Sequence, residues 1–239
     1  INMKTICLTF DDGLQSHYDV ALTLLKKHKL KGTFFITGQT ELWNYQIVAL
    51  QKGMQEPAMD FSKLHEFEEA GLELGNHSLS HPNFTKLNRD QIINELKGVD
   101  EIFAENGIYP ATTFCYPAYD ANSFAAEVLS SCGITHARTG YNYKEDTWAD
   151  WRPTETTEPK PKPSYYDSKT PLLTRSTGIA NCLYDYEYFV RDIEQMPEEA
   201  KAVFTFHGLK KKNLLEDFEK IIKYIVDNNL NTINFRDLK

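Results

Sequence analysis

The sequence predicts an α/β protein in which about seven parallel strands form a barrel, and three observations point to this fold class. First, short apolar runs with strand character alternate with helical patterns, an order that makes the strands parallel. Second, the number of such runs favours a barrel over an open sheet. Third, 41% of the 239 residues are hydrophobic, enough for a large core. The strand-like runs lie at Thr5–Phe10, 33–37, 72–75, 112–116, 135–138, 202–207 and 232–235.

Helical patterns lie between most of these runs. The first has an apolar stripe through Val20 and Leu24 and ends in Lys26 and Lys27, and basic residues suit the carboxyl end of a helix. The second and third are each followed by a glycine, a common helix stop. The four patterns lie at 20–28, 90–106, 123–132 and 214–228.

Two long segments interrupt the alternation, at about 39–60 and 141–177. The second contains a run with proline at every other position, 158–163, which gives an extended chain and cannot continue a helix. Neither segment resembles a flexible Gly/Ser linker. We therefore expect residues 1–239 to form a single domain with two long loops.

Composition excludes several classes of partner. The chain has 26 basic and 34 acidic residues, a net charge of −8, which argues against nucleic acid and anionic membranes. No apolar run approaches the roughly 20 residues of a membrane span, and no signal-peptide pattern opens the chain, which begins at Ile1. The four cysteines form no C-x-x-C pair, so a thiolate metal site is not expected.

Polar or ionisable side chains stand at the carboxyl ends of most predicted strands. Asp11 and Asp12 follow the first strand, and His77 follows the third with His81 four residues later. Because chemistry in parallel α/β folds gathers at the carboxyl ends of strands, these groups are candidates for one active site. The later strands add Arg138 and His207.

The histidine pair and one aspartate suggest a catalytic metal site. A spacing of four residues is one helical turn, which would put His77 and His81 on one face within reach of one cation. One of the two aspartates would complete a three-ligand set whose open fourth position holds water, and the other would accept a proton. The alternative is a surface turn with two titrating histidines.

With these residues the chain resembles the NodB-like polysaccharide deacetylases. The similarity rests on the ordered motifs Thr9-Phe-Asp-Asp-Gly13, His77-Ser-Leu-Ser-His81 and the late strand that ends in His207, and it covers most of the chain. It implies a distorted (β/α) barrel of the NodB-like type. It also implies metal-dependent removal of acetyl groups from a carbohydrate, and suggests an extracytoplasmic or secreted location.

The resemblance assigns roles to the metal ligands and the base. Asp11 would be the general base that takes a proton from the metal-bound water. Asp12 would bind the metal beside His77 and His81. The metal would be a divalent ion, foremost Zn²⁺, although Co²⁺ or Ni²⁺ suits the same ligands.

The resemblance also assigns the acid and the groups around the acetyl carbonyl. His207 would protonate the leaving amine or alkoxide. A backbone N–H near Ala118 would complete the oxyanion hole, although the family usually has tyrosine at this position. The neighbouring Tyr119 is either a substrate contact or an ordinary loop aromatic.

Two departures from the family pattern affect the site. The family's third motif commonly begins with an arginine that orients the base, and this chain has Cys115 there. We expect Arg138, on the next strand, to supply that contact, the alternative being an ordinary rim charge. The fourth motif matches only at Asp150 and Trp151, where Asp150 would orient His207 and Trp151 would line the acetyl pocket.

Two other functions stay open at this point. A metal-dependent hydrolase of a small cyclic amide would need a closed apolar pocket, whereas a glycan would favour an open groove lined by Trp43, Trp148 and Tyr165. The missing arginine also permits a carbohydrate-binding relative that has lost catalysis. The sequence does not distinguish N-acetyl from O-acetyl substrates, and it does not indicate an oligomeric state.

Overall fold

A computed structural model describes residues 4–38, 56–140, 164–180, 185–210 and 212–239. Its strands form one sheet in which every pairing is parallel, in the order β6-β5-β4-β3-β2-β1-β8-β7, with β9 beside the start of β1. The strands are β1 Thr5–Phe10, β2 Thr33–Ile36, β3 Glu73–Asn76, β4 Thr113–Cys115, β5 His136–Thr139, β6 Thr174–Arg175, β7 Gly178–Ala180, β8 Lys201–Phe206 and β9 Asn231–Thr232.

The helices cover the outside of the sheet. Four of them confirm the helical patterns of the sequence, and a π-helical turn at His17–Leu22 precedes the first of these helices. Two were not predicted, namely α2 and α5. No helix in the described part of the chain is long and apolar enough to cross a membrane. The helices are α1 Thr23–His28, α2 Leu64–Glu69, α3 Arg89–Glu105, α4 Ser123–Ser131, α5 Tyr186–Gln195 and α6 Lys212–Asp227.

The predicted barrel is confirmed as a nearly closed barrel of seven parallel strands, in which β6 and β7 together count as one strand. The seventh strand is therefore not the one that was predicted. The short β6 and β7 lie on one segment, 174–180, where β6 pairs with β5 and β7 pairs with β8. This segment therefore fills the gap between β5 and β8, and the predicted loop 141–177 ends too late. The run 232–235 contributes only the two residues of β9 and then turns at Phe235–Asp237.

Alternation along the strands separates an outer core from the barrel interior. In β1, Ile6, Leu8 and Phe10 pack under the helices, and Phe34 and Ile36 of β2 join them. Successive strand residues point to opposite faces, so the other set of positions faces inward. The inner apolar cluster consists of Cys7, Phe35, Cys115, Val203, Phe235 and Leu238.

The amino-terminal end of the barrel is closed by a polar network. Glu73 is buried and accepts hydrogen bonds from the hydroxyls of Thr33 and Thr113, at 2.8 and 2.7 Å. The N–H of Arg236, in the turn after β9, donates to the same carboxylate at 3.0 Å. The opposite, carboxyl-terminal end is where the candidate site lies.

Candidate active site

Five inward-facing side chains meet at the carboxyl-terminal end of the barrel. They continue the inner rows of their strands by the alternation described above. Strand-like backbone hydrogen bonds extend to these residues, since the N–H of Asp11 donates to Phe206 O at 2.9 Å and that of His77 donates to Ile36 O at 2.8 Å. The five are Asp11, His77, Cys115, Arg138 and His207.

A turn after β1 separates the two aspartates. Asp12 has φ 82° and Gly13 has φ 63°, a left-handed pair of residues that is unfavourable at the aspartate. The turn is fixed by the Met59 N–H, which donates to Gly13 O at 2.9 Å, and by a bridge between Leu14 and Ala58. Asp11 therefore continues the inner row while the Asp12 carboxylate reaches the histidines.

The Asp12 carboxylate and the two imidazoles converge. Asp12 Oδ1 lies 3.3 Å from His77 Nε2 and 3.9 Å from His81 Nε2. One ligand atom from each of the three residues lies within 4.8 Å of the others. The spacing-based prediction of a helical turn is wrong here, because residues 77–81 form an irregular loop with left-handed Ser78 (φ 68°) and His81 (φ 55°).

Side-chain hydrogen bonds replace the helix as the means of bringing the histidines together. The N–H of Ser78 donates to Asn76 Oδ1 at 2.8 Å, and the N–H of His81 donates to Ser78 Oγ at 3.0 Å. Glu95, on α3, accepts from the N–H and the hydroxyl of Ser80 at 2.8 and 2.6 Å. These local bonds stabilise a loop that spacing alone did not predict.

The donor set fits a divalent cation. His77 Nδ1–H donates to Cys115 O at 2.7 Å, so Nε2 is the ring nitrogen that faces Asp12, as in many metal-binding histidines. Burial acts to lower the pKa of His77, but Cys115 and the bond to Asp12 raise it well above its ordinary value, so a cation would take the place of the Nε2 proton. Burial, and then the neighbouring His77, lower the pKa of His81 to about 3, which keeps that imidazole neutral. Asp12 Oδ1 is buried with no hydrogen-bond partner among the described residues. A cation would satisfy all three lone pairs.

Arg138 is fully buried and bonds the other aspartate. Its Nη2 donates to Asp11 Oδ1 and to Cys115 Sγ, the latter at 2.7 Å. Burial acts to raise the pKa of Asp11, but Arg138 and then His207 outweigh it, and the pKa lies below its ordinary value. Burial raises the pKa of Cys115, so this residue is a thiol. The structure thus brings Arg138 to Asp11, and its role in catalysis stays a prediction.

A second group of donor atoms overlaps the first but does not fit a cation. Asp11, His77 and Cys115 also lie within 4.8 Å of one another. However, the guanidinium of Arg138 already contacts both Asp11 and Cys115, and a positive charge there repels a metal ion. The group that contains Asp12 is therefore the better candidate for a metal site.

His207 faces the same space from β8. Its Nε2 lies 3.7 Å from Asp11 Oδ2, and its Nδ1 is buried with no hydrogen-bond partner in the described part of the chain. Two residues that the sequence did not single out fix its backbone. His17 Nε2–H donates to His207 O at 3.0 Å, and the N–H of Leu209 donates to Ser16 Oγ at 2.8 Å. The sequence offers one signal that could have indicated this contact, namely that His17 follows the Asp-Asp-Gly motif by four residues.

The turn after β4 brings Ala118 and Tyr119 to the site. The N–H groups of Tyr119 and Asp120 donate to carbonyls within the turn, at 3.0 and 3.1 Å, so the predicted oxyanion contact rests on the Ala118 N–H. The Tyr119 hydroxyl lies 3.4 Å from His207 Nε2. Tyr119 is therefore part of the site and not a remote loop aromatic.

The remaining predicted residues lie elsewhere. Asp150 and Trp151 fall outside the described residues, as do Trp43 and Trp148. The placement of Tyr165 in a sugar-binding groove is wrong. Tyr165 bridges to Ala202, near the amino end of β8, and a strand rises about 3.3 Å per residue, which puts it far from the site at the other end of that strand.

The chain is similar to known proteins in sequence and in fold. Residues 2–137 match the family described as polysaccharide deacetylase. The peptidoglycan-N-acetylmuramic acid deacetylase PdaA of Bacillus subtilis is 36% identical over 99 residues, which are 41% of this chain and 32% of PdaA. The chain thus matches about a third of that relative's length.

Solved structures share the fold. A family 4 carbohydrate esterase from Streptomyces lividans, in complex with acetate, has a TM-score of 0.58 at 18% identity and covers 97% of this chain and 92% of its own. BA3943 of Bacillus anthracis, a CE4 family pseudoenzyme, has a TM-score of 0.61 at 17% identity and covers 99% and 66%. At such identities the likeness concerns the fold alone.

Proposed function

The chain belongs to the polysaccharide deacetylase family, and we propose that it is a metal-dependent hydrolase that removes acetyl groups from a carbohydrate. The observation that supports this most directly is the convergence of Asp12, His77 and His81 within 4.8 Å beside the separately held Asp11. We take residues 1–239 as a single catalytic domain. The net charge of −8 disfavours nucleic acid as a partner.

The proposed metal ligands are Asp12, His77 and His81. A divalent ion held by one carboxylate and two imidazoles, with Zn²⁺ first and Co²⁺ or Ni²⁺ as alternatives, would polarise the acetyl carbonyl and acidify water. The chain's own contribution is to aim one imidazole and to keep the other neutral. The Nδ1–H bond from His77 to Cys115 O fixes the orientation of the first ring, and the low pKa of His81 keeps the second ring uncharged.

In this proposal Asp11 is the general base. It must be ionised and fixed to accept a proton from the attacking water. Arg138 does both, because its buried guanidinium donates to Oδ1 and holds the pKa of Asp11 below its ordinary value. Oδ2, 3.7 Å from His207 Nε2, is the oxygen that faces the reacting groups.

His207 is the proposed general acid. Its Nε2 lies opposite Asp11 and would give a proton to the leaving nitrogen or oxygen when the bond to the acetyl carbon breaks. The bond from His17 to the His207 carbonyl fixes the strand end that presents the imidazole. The N–H of Ala118 is the proposed backbone donor to the acetyl oxygen.

The substrate is proposed as an acetylated glycan, with N-acetyl and O-acetyl groups both open. PdaA is named for N-acetylmuramic acid in peptidoglycan, and a bifunctional xylanase/deacetylase of Pseudobutyrivibrio xylanivorans is 38% identical over 96 residues. Such polymers lie outside the cytoplasm, and an extracytoplasmic location is part of the proposal.

A relative without catalysis is the second candidate, because a structural neighbour is a pseudoenzyme and Cys115 replaces the expected arginine. The contact between Arg138 and Asp11 argues against this, since the base still has its cation. We found nothing in the described residues that favours a small cyclic amide substrate.

Acetate release tests the proposal. Purified protein is incubated with N-acetylated chitin oligomers, peptidoglycan and acetylated xylan, with and without a chelator followed by Zn²⁺. We expect release from at least one substrate, loss with chelator and recovery with Zn²⁺. The matched control is Asp19→Asn, an exposed aspartate, beside Asp11→Asn. No release from any substrate, or release that Asp11→Asn leaves unchanged, contradicts the proposal.

A further inference from the structure

The turn that follows β4 holds Tyr119 in an unfavourable backbone conformation. Ala118 has φ 51° and Tyr119 has φ 64°, and the left-handed region is rare for a bulky side chain. Glycine or asparagine would adopt it more easily. A residue that keeps such strain is a candidate for function, although the strain alone does not say which.

The Tyr119 ring lies in a fitted position beside β5. A Cβ on Gly140 would lie 2.8 Å from Tyr119 Cγ, so only glycine at position 140 leaves room for the ring. Arg138 lies on β5, and its guanidinium carbon is 5.5 Å from the centroid of the Tyr119 ring, within the range of a cation–π contact. Only 8% of Tyr119 is exposed. These contacts aim the hydroxyl.

The hydroxyl meets the nitrogen that the proposed reaction uses. Tyr119 Oη lies 3.4 Å from His207 Nε2, and the two rings are perpendicular with centroids 6.3 Å apart. A hydroxyl both donates and accepts. The hydroxyl can therefore accept a hydrogen bond from Nε2 when this atom bears a proton, and donate one to Nε2 when it does not.

We propose that Tyr119 is a positioning residue that holds the His207 imidazole before and after it gives up its proton. This rests on the proposed function. During cleavage the proton passes from His207 Nε2 to the leaving atom, which takes the electron pair of the breaking bond. Tyr119 then donates to the vacated lone pair and keeps its own proton. Burial, and then Asp11, raise the pKa of Tyr119 well above its ordinary value, which agrees with a hydroxyl that stays protonated.

The leaving group discriminates this role from a structural one. Tyr119→Phe removes one oxygen and keeps the ring beside Arg138. 4-Nitrophenyl acetate has a leaving group that needs no proton, whereas an N-acetyl amide does. We expect kcat to fall at least about tenfold on N-acetylated chitin oligomers or peptidoglycan, within the scale of general acid catalysis, with KM unchanged and the aryl ester rate nearly unchanged.

Tyr116→Phe is the matched control, since Tyr116 is a buried tyrosine of the same loop whose hydroxyl donates to Leu172 O at 3.2 Å. It should change neither substrate's rate. An equal loss on amide and aryl ester in Tyr119→Phe, or no loss on the amide, overturns the inference. A wild-type protein that releases no acetate contradicts the proposed function instead.

A second readout needs no activity. The ring ¹⁵N signals of His207, assigned by comparison with His207→Gln, report its hydrogen bonds. We expect them to move in Tyr119→Phe and to stay in place in Tyr116→Phe. Unchanged His207 signals in Tyr119→Phe overturn the inference whether or not the enzyme is active.

Discussion

Replacing Arg138 by cysteine removes the cation that holds the proposed base, and the strand register suggests how to restore it. Cys115 and Arg138 are direct partners across β4 and β5, and both side chains contact Asp11 from inside the barrel. The exchange Cys115→Arg with Arg138→Cys therefore keeps one thiol and one guanidinium on the same rung.

The expected magnitudes follow from burial. Arg138 and Asp11 have side-chain exposures of 0% and 1%, and removing one partner of a buried pair costs about 3–5 kcal/mol of stability. An adjacent cation lowers a carboxyl pKa, so in Arg138→Cys, where the guanidinium no longer opposes the effect of burial, the pKa of Asp11 rises. The ordinary Asp pKa is the unfolded reference. In the wild type the ion pair stabilises the fold at pH values above the ordinary Asp pKa, and this stabilisation is lost as the pH falls below it. In Arg138→Cys the pKa of Asp11 lies above the ordinary value, so the ionised carboxylate destabilises the protein at neutral pH.

Urea unfolding and pH–rate profiles of the two single variants and the exchange form a double-mutant cycle. Arg138→Cys should unfold more easily, keep its metal, and show an acidic limb moved to higher pH. The exchange should recover much of both properties. If Arg138→Cys loses turnover with no movement of the acidic limb, or the exchange restores nothing, Arg138 does not act through Asp11.

Two further predictions concern other groups of the site. Asp11→Asn should keep the metal and lose turnover by a factor of about 10²–10⁴, measured by acetate release beside metal content, and full turnover would show that Asp11 is not the base. Burial lowers the pKa of His17 to about 4, so its neutral form stabilises the fold above about pH 6.5. This contribution, about 3 kcal/mol in total, is lost as the pH falls toward 4. The free energy of unfolding in urea should fall over that pH range more in the wild type than in His17→Gln. Equal slopes of this free energy against pH in the two proteins would contradict the prediction.

The strand ends could be predicted because the period of a strand is fixed. Once Thr5–Phe10 is a strand with Ile6, Leu8 and Phe10 outside, Asp11 must face inward. The same reasoning applies to His77, Arg138 and His207, whose positions depend on local alternation and on parallel pairing. The contact of Arg138 with Asp11 crosses the barrel interior between β5 and β1, which are not neighbours in the sheet, and it follows from both side chains facing inward at the same end of the barrel.

The features that the sequence did not reveal depend on distant partners. Segment 174–180 has few apolar residues and becomes strand because β5 and β8 offer free edges to it. The turn after β9 brings Phe235 into the inner core, where the predicted long strand would have had no place. The histidine loop bends because Asn76 and Glu95 bond its backbone, and spacing carries no information about such bonds.

The metal content of the protein tests the central claim most directly. Wild type, the double variant His77→Ala with His81→Ala, and the control His65→Ala, an exposed histidine, are loaded with Zn²⁺, freed of excess metal and analysed for zinc per chain. The account predicts one zinc in the wild type and in the control and none retained by the double variant. Stoichiometric zinc in the double variant, or none in the wild type, would contradict it.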